Sequence, residues 1–216
     1  MSDSQDPWET LRNWFPDLEE DKWVRLQEYC ELLREWNAKI NLVSRKDMDR
    51  LETKHLAHCL TITQFLRLMP KARLLDVGTG GGLPGIPLAI CYPQAHFTLI
   101  DSIGKKVMVV EDMIQKLGLK NIEVRRGRVE ELPRKRRYDF VIGRAVTALP
   151  TFFGWVSNKI SKGSKHSPSN GILYLKGGDY TEELKTSGLH PAKIWNLDEL
   201  LPEAELGEKY LIHFKI

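Results

Sequence analysis

Apolar positions follow two different rhythms along this chain. Trp23, Leu26, Tyr29, Leu33 and Trp36 recur at steps of three and four, which predicts an amphipathic helix. Leu51, Leu56, Leu60, Phe65 and Leu68 predict a second helix, ended by Pro70. Residues 37–45 between them are too polar and Asn-rich to read as helix. From Arg73 onward, short apolar runs alternate with helical stretches. Strands are expected over 73–77, 97–101, 122–126, 139–142 and 171–176, and helices over 86–92, 104–117, 149–160 and 181–186. Such alternation predicts βαβ units, a parallel sheet and helices on both faces. Residues 208–216 alternate strictly and predict a last strand, able to pair antiparallel with 192–197. Residues 161–170 read as a polar surface loop.

The most informative segment is Asp76-Val-Gly-Thr-Gly-Gly-Gly-Leu-Pro-Gly-Ile-Pro87, placed where a buried strand gives way to a helix. Gly78, Gly80 and Gly82 permit positive φ and let backbone approach a ligand closely, as at the switch point of a doubly wound sheet. Nicotinamide and flavin sites share this physics. Two carboxylates shift the reading. Asp76 stands two residues before the first glycine, where a pyrophosphate would be repelled and a positively charged ligand such as S-adenosylmethionine accepted. Asp101 ends the next strand, placed to accept both ribose hydroxyls.

Composition adds limits. The chain has 216 residues, 42% of them hydrophobic and 28% charged, which fits an ordinary globular protein with one domain and an extension. No apolar run is long enough to span a membrane, and the first fifteen residues do not resemble a signal peptide. Cys30, Cys59 and Cys91 lie far apart, which predicts no disulfide framework and no cysteine-based metal site, and hence a reducing, cytoplasmic setting. The net charge of +3 hides a gradient: residues 71–166 hold 17 basic and 8 acidic side chains, between two flanks in which acids prevail. A basic middle suggests a polyanionic partner.

The end of the fourth strand should carry substrate chemistry. It has no Asn/Asp-Pro-Pro-aromatic element for an exocyclic amine, and no cysteine after proline for attack on a pyrimidine carbon. Arg144 stands there instead, a fixed cation suited to an acceptor-rich edge such as guanine O6, or to a phosphate.

Taken together, Trp36-Asn37, Lys39-Ile40-Asn41-Leu42, Arg45, His55-Leu56, the glycine segment, Leu99-Ile-Asp-Ser102 with Lys105-Lys106, Arg128-Val-Glu-Glu131, Arg144-Ala145 and Leu175-Lys-Gly177 resemble the ribosomal small-subunit methyltransferase G family. His58-Cys59 departs from the Asp-Ser frequent there. The resemblance implies a doubly wound Rossmann-like S-adenosylmethionine-dependent methyltransferase sheet (residues 71–216) behind an N-terminal helical extension (residues 1–70). It implies methylation of guanine N7 in 16S ribosomal RNA, within or outside the small subunit. Cofactor contacts carried over are Gly78, Leu83, Val129, Glu130 and Arg144, beside Asp76, Gly80 and Gly82 of the loop and Asp101 at the end of the next strand. An acid after the third strand, Glu130, also suits an adenine amine. Arg144 is cast as the orienting catalytic group. Arg45, His55, Lys105, Arg126 and Lys176 are the candidate RNA contacts, with Arg125, Arg128 and the run Arg134-Lys-Arg-Arg137 beside them. No metal is expected, and a monomer is. The rival readings are a related methyltransferase acting on another RNA, a small molecule or a protein, and an RNA-binding protein with a vestigial pocket.

Overall fold

The computed structural model describes residues 6–133, 137–204 and 206–216. Three of the four basic residues in the run from Arg134 to Arg137 therefore lie outside the described residues.

Seven strands form one sheet in the order β3-β2-β1-β4-β5-β7-β6. They are β1 (Arg73–Val77), β2 (His96–Asp101), β3 (Ile122–Arg126), β4 (Phe140–Arg144), β5 (Gly171–Gly177), β6 (Lys193–Asn196) and β7 (Lys209–Lys215). The first five run parallel, whereas β7 is antiparallel to both β5 and β6. The chain moves outward from β1 to β3, then crosses back to place β4 on the other side of β1. That reversal opens a crevice at the carboxyl ends of β1 and β4.

Burial explains the apolar runs. In β1, Leu74 through Val77 are buried, as a central strand covered on both faces requires. Successive side chains serve opposite layers. Leu74 joins the cluster that contains Leu26, Leu33, Leu60 and Val109, whereas Leu75 and Val77 join Phe152, Val156 and Tyr174. The N-terminal helices thus share a core with the sheet.

The helices are α1 (Pro7–Trp14), α2 (Glu20–Asn37), α3 (Ala57–Phe65), α4 (Gly85–Cys91), α5 (Gly104–Lys116), α6 (Leu149–Val156), α7 (Thr181–Ser187) and α8 (Leu197–Leu200). Helix α1 has no long periodic pattern, but it starts with Asp6 capping the Trp8 amide at 3.1 Å and Pro7 in the first turn. Two helices are shorter than the apolar periodicity predicts. Helix α3 stops at Phe65 because Arg67 turns extended and exchanges backbone hydrogen bonds with Ser167. Helix α6 stops at Val156, gives one 3₁₀ turn at Ser157–Lys159, and releases Ile160 to bridge Tyr138. In both cases a backbone partner distant in sequence outcompetes continued helix.

Candidate active site

Asp76, near the end of β1, is the anchor of the glycine loop. Its Oδ2 accepts from the Thr79 hydroxyl at 2.7 Å and from the Gly85 amide at 3.0 Å, so the carboxylate ties both ends of the loop. Burial is the main influence on this group and raises its pKa to about 6, against the opposing effect of those two donors. Its Oδ1 is buried with no partner among the described residues. A buried acceptor left open in this way suits a donor delivered by a ligand, such as an ammonium.

The glycines turn the backbone where side chains are excluded. Gly78 has φ +70°, and a Cβ there would stand 3.0 Å from Val146 Cγ2. Gly82 has φ +88°, and its Cβ would meet Ile86 Cδ1 at 2.5 Å. Helix α2 supports the loop from behind: the Tyr29 hydroxyl donates to the Gly81 carbonyl at 2.9 Å, and Leu33 packs where a Gly81 Cβ would be. Tyr29 was silent in the sequence, where it reads only as one more apolar position of a helix.

Beside this loop lies a cleft of about 190 Å³, bounded by Gly78, Asp101, Arg128, Val129, Glu130 and Trp155. The two Asp101 oxygens accept from the Gly80 and Ile103 amides at 3.0 and 2.9 Å. A carboxylate oxygen has two lone-pair directions, so capacity remains for hydroxyls. Val129 and Glu130 sit in a 3₁₀ turn (Val129–Glu131) just after β3. Trp155, on α6, bounds the cleft and packs in the same layer as Val77, Ile100 and Val129; no sequence signal separates it from the other aromatic residues of that helix.

Five of the residues singled out in the sequence lie elsewhere. Asp76 faces the interior of the loop, Gly80 and Gly82 shape it, and Leu83 is buried behind it. Arg144 lines a second cavity of about 320 Å³ and not the cleft. Its Nη1 lies 3.0 Å from His55 Nδ1, so the structure brings these two predicted residues together. Arg144 ends β4, and the segment after it is tied down: Ala145 has φ +54°, and the Tyr174 hydroxyl accepts from the Val146 and Thr147 amides and donates to the Thr147 carbonyl at 2.6 Å.

The basic residues divide by what they touch. Arg45, Lys105 and Arg126 are exposed, and the Arg126 guanidinium lies against Gly104, at the start of α5. Arg128 reaches the cleft. Arg125 pairs with Glu123 at 3.0 Å. Lys176 is bonded to Glu183 at 2.6 Å, and Glu183 also accepts from the Leu149 amide, so this lysine helps to seat α6 on α7. Among the described residues no group of His, Cys, Asp and Glu is arranged to hold a metal ion.

Comparison with known proteins agrees with this geometry. Residues 23–194 match the family GidB, rRNA small subunit methyltransferase G. The chain is 46% identical over 205 residues to the ribosomal RNA small subunit methyltransferase G of Christiangramia forsetii, covering 95% of each chain. It is 38% identical to the Bacteroides thetaiotaomicron protein of the same name, covering 96% of this chain and 100% of that one. Among solved structures it is similar in fold to a SAM-dependent methyltransferase from Aquifex aeolicus, with TM-score 0.53 and 17% identity, over 85% of this chain and 96% of that one.

Proposed function

This chain belongs to the rRNA small subunit methyltransferase G family, and we propose that it transfers the methyl group of S-adenosylmethionine to N7 of a guanine in 16S ribosomal RNA. The observation that carries this reading is the pairing of two acids around one glycine loop. Asp76 keeps a buried oxygen open, and Asp101 stands at the cleft with acceptor capacity in reserve. A dinucleotide would bring its pyrophosphate against that negative charge. In the proposed site Asp76 takes the ammonium, Asp101 the ribose hydroxyls and Glu130 the adenine amine. Gly78, Val129 and Trp155 form the walls, and Gly80, Gly82 and Leu83 keep the loop in shape.

When bound, S-adenosylmethionine would supply a methyl carbon on a sulfonium, and guanine N7, which carries a lone pair and no proton, would need no base to take it. The chain therefore needs orienting donors and a dry, aligned site more than it needs a base. Arg144 suits that role because a guanidinium only donates, and the segment that follows it is bonded to Tyr174. His55 beside it is held neutral, its pKa lowered to about 4 by burial and by the Arg144 charge. Exposed Arg45, Lys105 and Arg126, with Arg128 at the rim, suit RNA phosphates. We take residues 1–70 as the helical extension and 71–216 as the methyltransferase domain, acting as a monomer in the cytoplasm. No helix among the described residues is long and apolar enough to cross a membrane.

The test is incorporation of tritium from labelled S-adenosylmethionine into small subunits taken from a strain lacking the gene. Mass spectrometry of nuclease fragments should then find 7-methylguanosine in 16S RNA. Label in protein or on another base would overturn the proposal.

A further inference from the structure

The second cavity has no role in holding the cofactor as described above. It lies at the carboxyl ends of β4 and β5 and adjoins the cleft along the end of β4: Val146 lines the cleft, whereas Arg144 and Ala145 line the cavity. Its volume of about 320 Å³ falls among those of small-molecule sites, roughly 300–1,000 Å³. Leu175 and Leu206 give it apolar walls, and Asp47, His58 and Lys209 give it polar ones.

The polar groups are unevenly satisfied. Asp47 bonds Lys54. Arginine can only donate, so His55 Nδ1 must accept from Arg144, and the proton of the neutral ring sits on Nε2. That Nε2 is buried, 3.3 Å from Asp47 Oδ2 but without hydrogen-bond geometry. His58 is 6% exposed, and its Nε2 is buried with no partner. Among the described residues neither Arg144 nor Lys209 is paired with a carboxylate. Two open cations, two imidazoles with buried unpartnered nitrogens and one acid thus converge on an apolar-walled space.

We propose that this cavity receives the target guanine nucleotide, turned out of the RNA, with Arg144 and Asp47 reading the base edge and Lys209 holding a phosphate. A flat ring suits the leucine walls. Guanine O6 accepts where Arg144 donates, and the guanine N1–H and N2 amine donate where Asp47 accepts. Adenine would set its amine against the guanidinium. The open nitrogens of His55 and His58 provide further partners for a polar base whose own groups must be satisfied once it leaves the stack. Arg144 and Ala145 border the cavity and Val146 the cleft, so a base seated here stands next to the cleft that holds the methyl donor.

The inference rests on the methyl-transfer reading, so wild-type protein is assayed first on undermethylated small subunits. Absence of 7-methylguanosine there would sink that reading, apart from anything about this cavity. Given activity, two variants test the cavity. Lys209→Gln removes the open cation. Gly177→Leu fills the rim: the φ of Gly177 is ordinary, and its Cβ would meet only the flexible Lys209 side chain, at 2.7 Å to Nζ. Each variant is expected to lower kcat/KM for subunits about tenfold or more, while the Kd for S-adenosylhomocysteine by calorimetry stays within about twofold. The inference fails if kcat/KM stays near the wild-type value. It fails equally if affinity for S-adenosylhomocysteine falls in parallel, because the cavity would then serve the cofactor. Should Lys209→Gln lose stability, Gly177→Leu alone decides.

Discussion

Asp76 couples folding, cofactor and pH through one carboxyl group. Its folded pKa of about 6 lies above the ordinary carboxyl range, so its contribution to stability is present below that range and is lost as pH rises through about 6. A cofactor ammonium that meets the open Oδ1 would favour the ionised form and release the proton. Affinity for S-adenosylhomocysteine should therefore be about tenfold weaker at pH 5 than at pH 7.5, and Asp76→Asn should abolish the dependence. Calorimetry across that range would expose the idea as wrong if the wild type binds equally well at both ends. At Gly80 the nearest atom to an added Cβ is 4.0 Å away, so space is free and the cost of a side chain is conformational. With φ at +59°, Gly80→Val should cost of the order of 1–3 kcal/mol, seen as a lower Tm together with weakened cofactor binding.

Between elements, two contacts decide how the active face is held. Helix α2 touches the glycine loop through Tyr29, and Tyr29→Phe leaves the buried Gly81 carbonyl without its donor. The expected loss is about 1–3 kcal/mol in chemical denaturation, with a parallel decline in cofactor affinity. Unchanged affinity would mean that the loop keeps its shape without α2. Lys176 and Glu183 fasten the start of α6 to α7, so Lys176→Ala should lower Tm yet leave the salt dependence of RNA binding as it is. Arg126→Ala should do the reverse. An exposed guanidinium that neutralises one phosphate should flatten the log–log salt slope by about 0.7–0.9 when removed. These paired variants separate a structural cation from an RNA-binding one, although in sequence both are simply basic residues near strand ends.

For the molecule as a whole, the chemistry predicts a pH profile. His55 is neutral well below physiological pH, a guanidinium offers donors and no base, and methylation of N7 releases no proton. The single-turnover rate at saturating cofactor and subunits should be nearly flat between about pH 6 and 9, and Arg144→Lys should lower it without creating a slope. A tenfold rise per pH unit, removed with one titratable side chain, would point to an amine or ring carbon as the target and displace the N7 assignment.

Local pattern was enough for most of the architecture. Strand β1 and the alternation with helices were legible because central strands must be apolar and turns must be glycine-rich, whatever their neighbours, while β3, with no buried residue, stands at the sheet edge over the expected residues. The glycine loop and its two acids were legible for the same reason: positive φ and close backbone approach admit few residue types. What the sequence could not decide is where long side chains end. Arg144 was expected at the cofactor and as the orienting group for the guanine, and it lies with His55, 89 positions away in the chain; Lys176 was expected at RNA and is bound to Glu183. Trp155 reaches the cleft only because α6 crosses the sheet there, and Tyr29 meets Gly81 only because α2 packs on α4. Backbone conformation is set mostly by neighbours in sequence, with the ends of α3 and α6 as exceptions made by distant backbone partners, whereas the partner of a flexible charged or aromatic side chain is set by whichever element packing brings within its reach, and only the tertiary structure decides that.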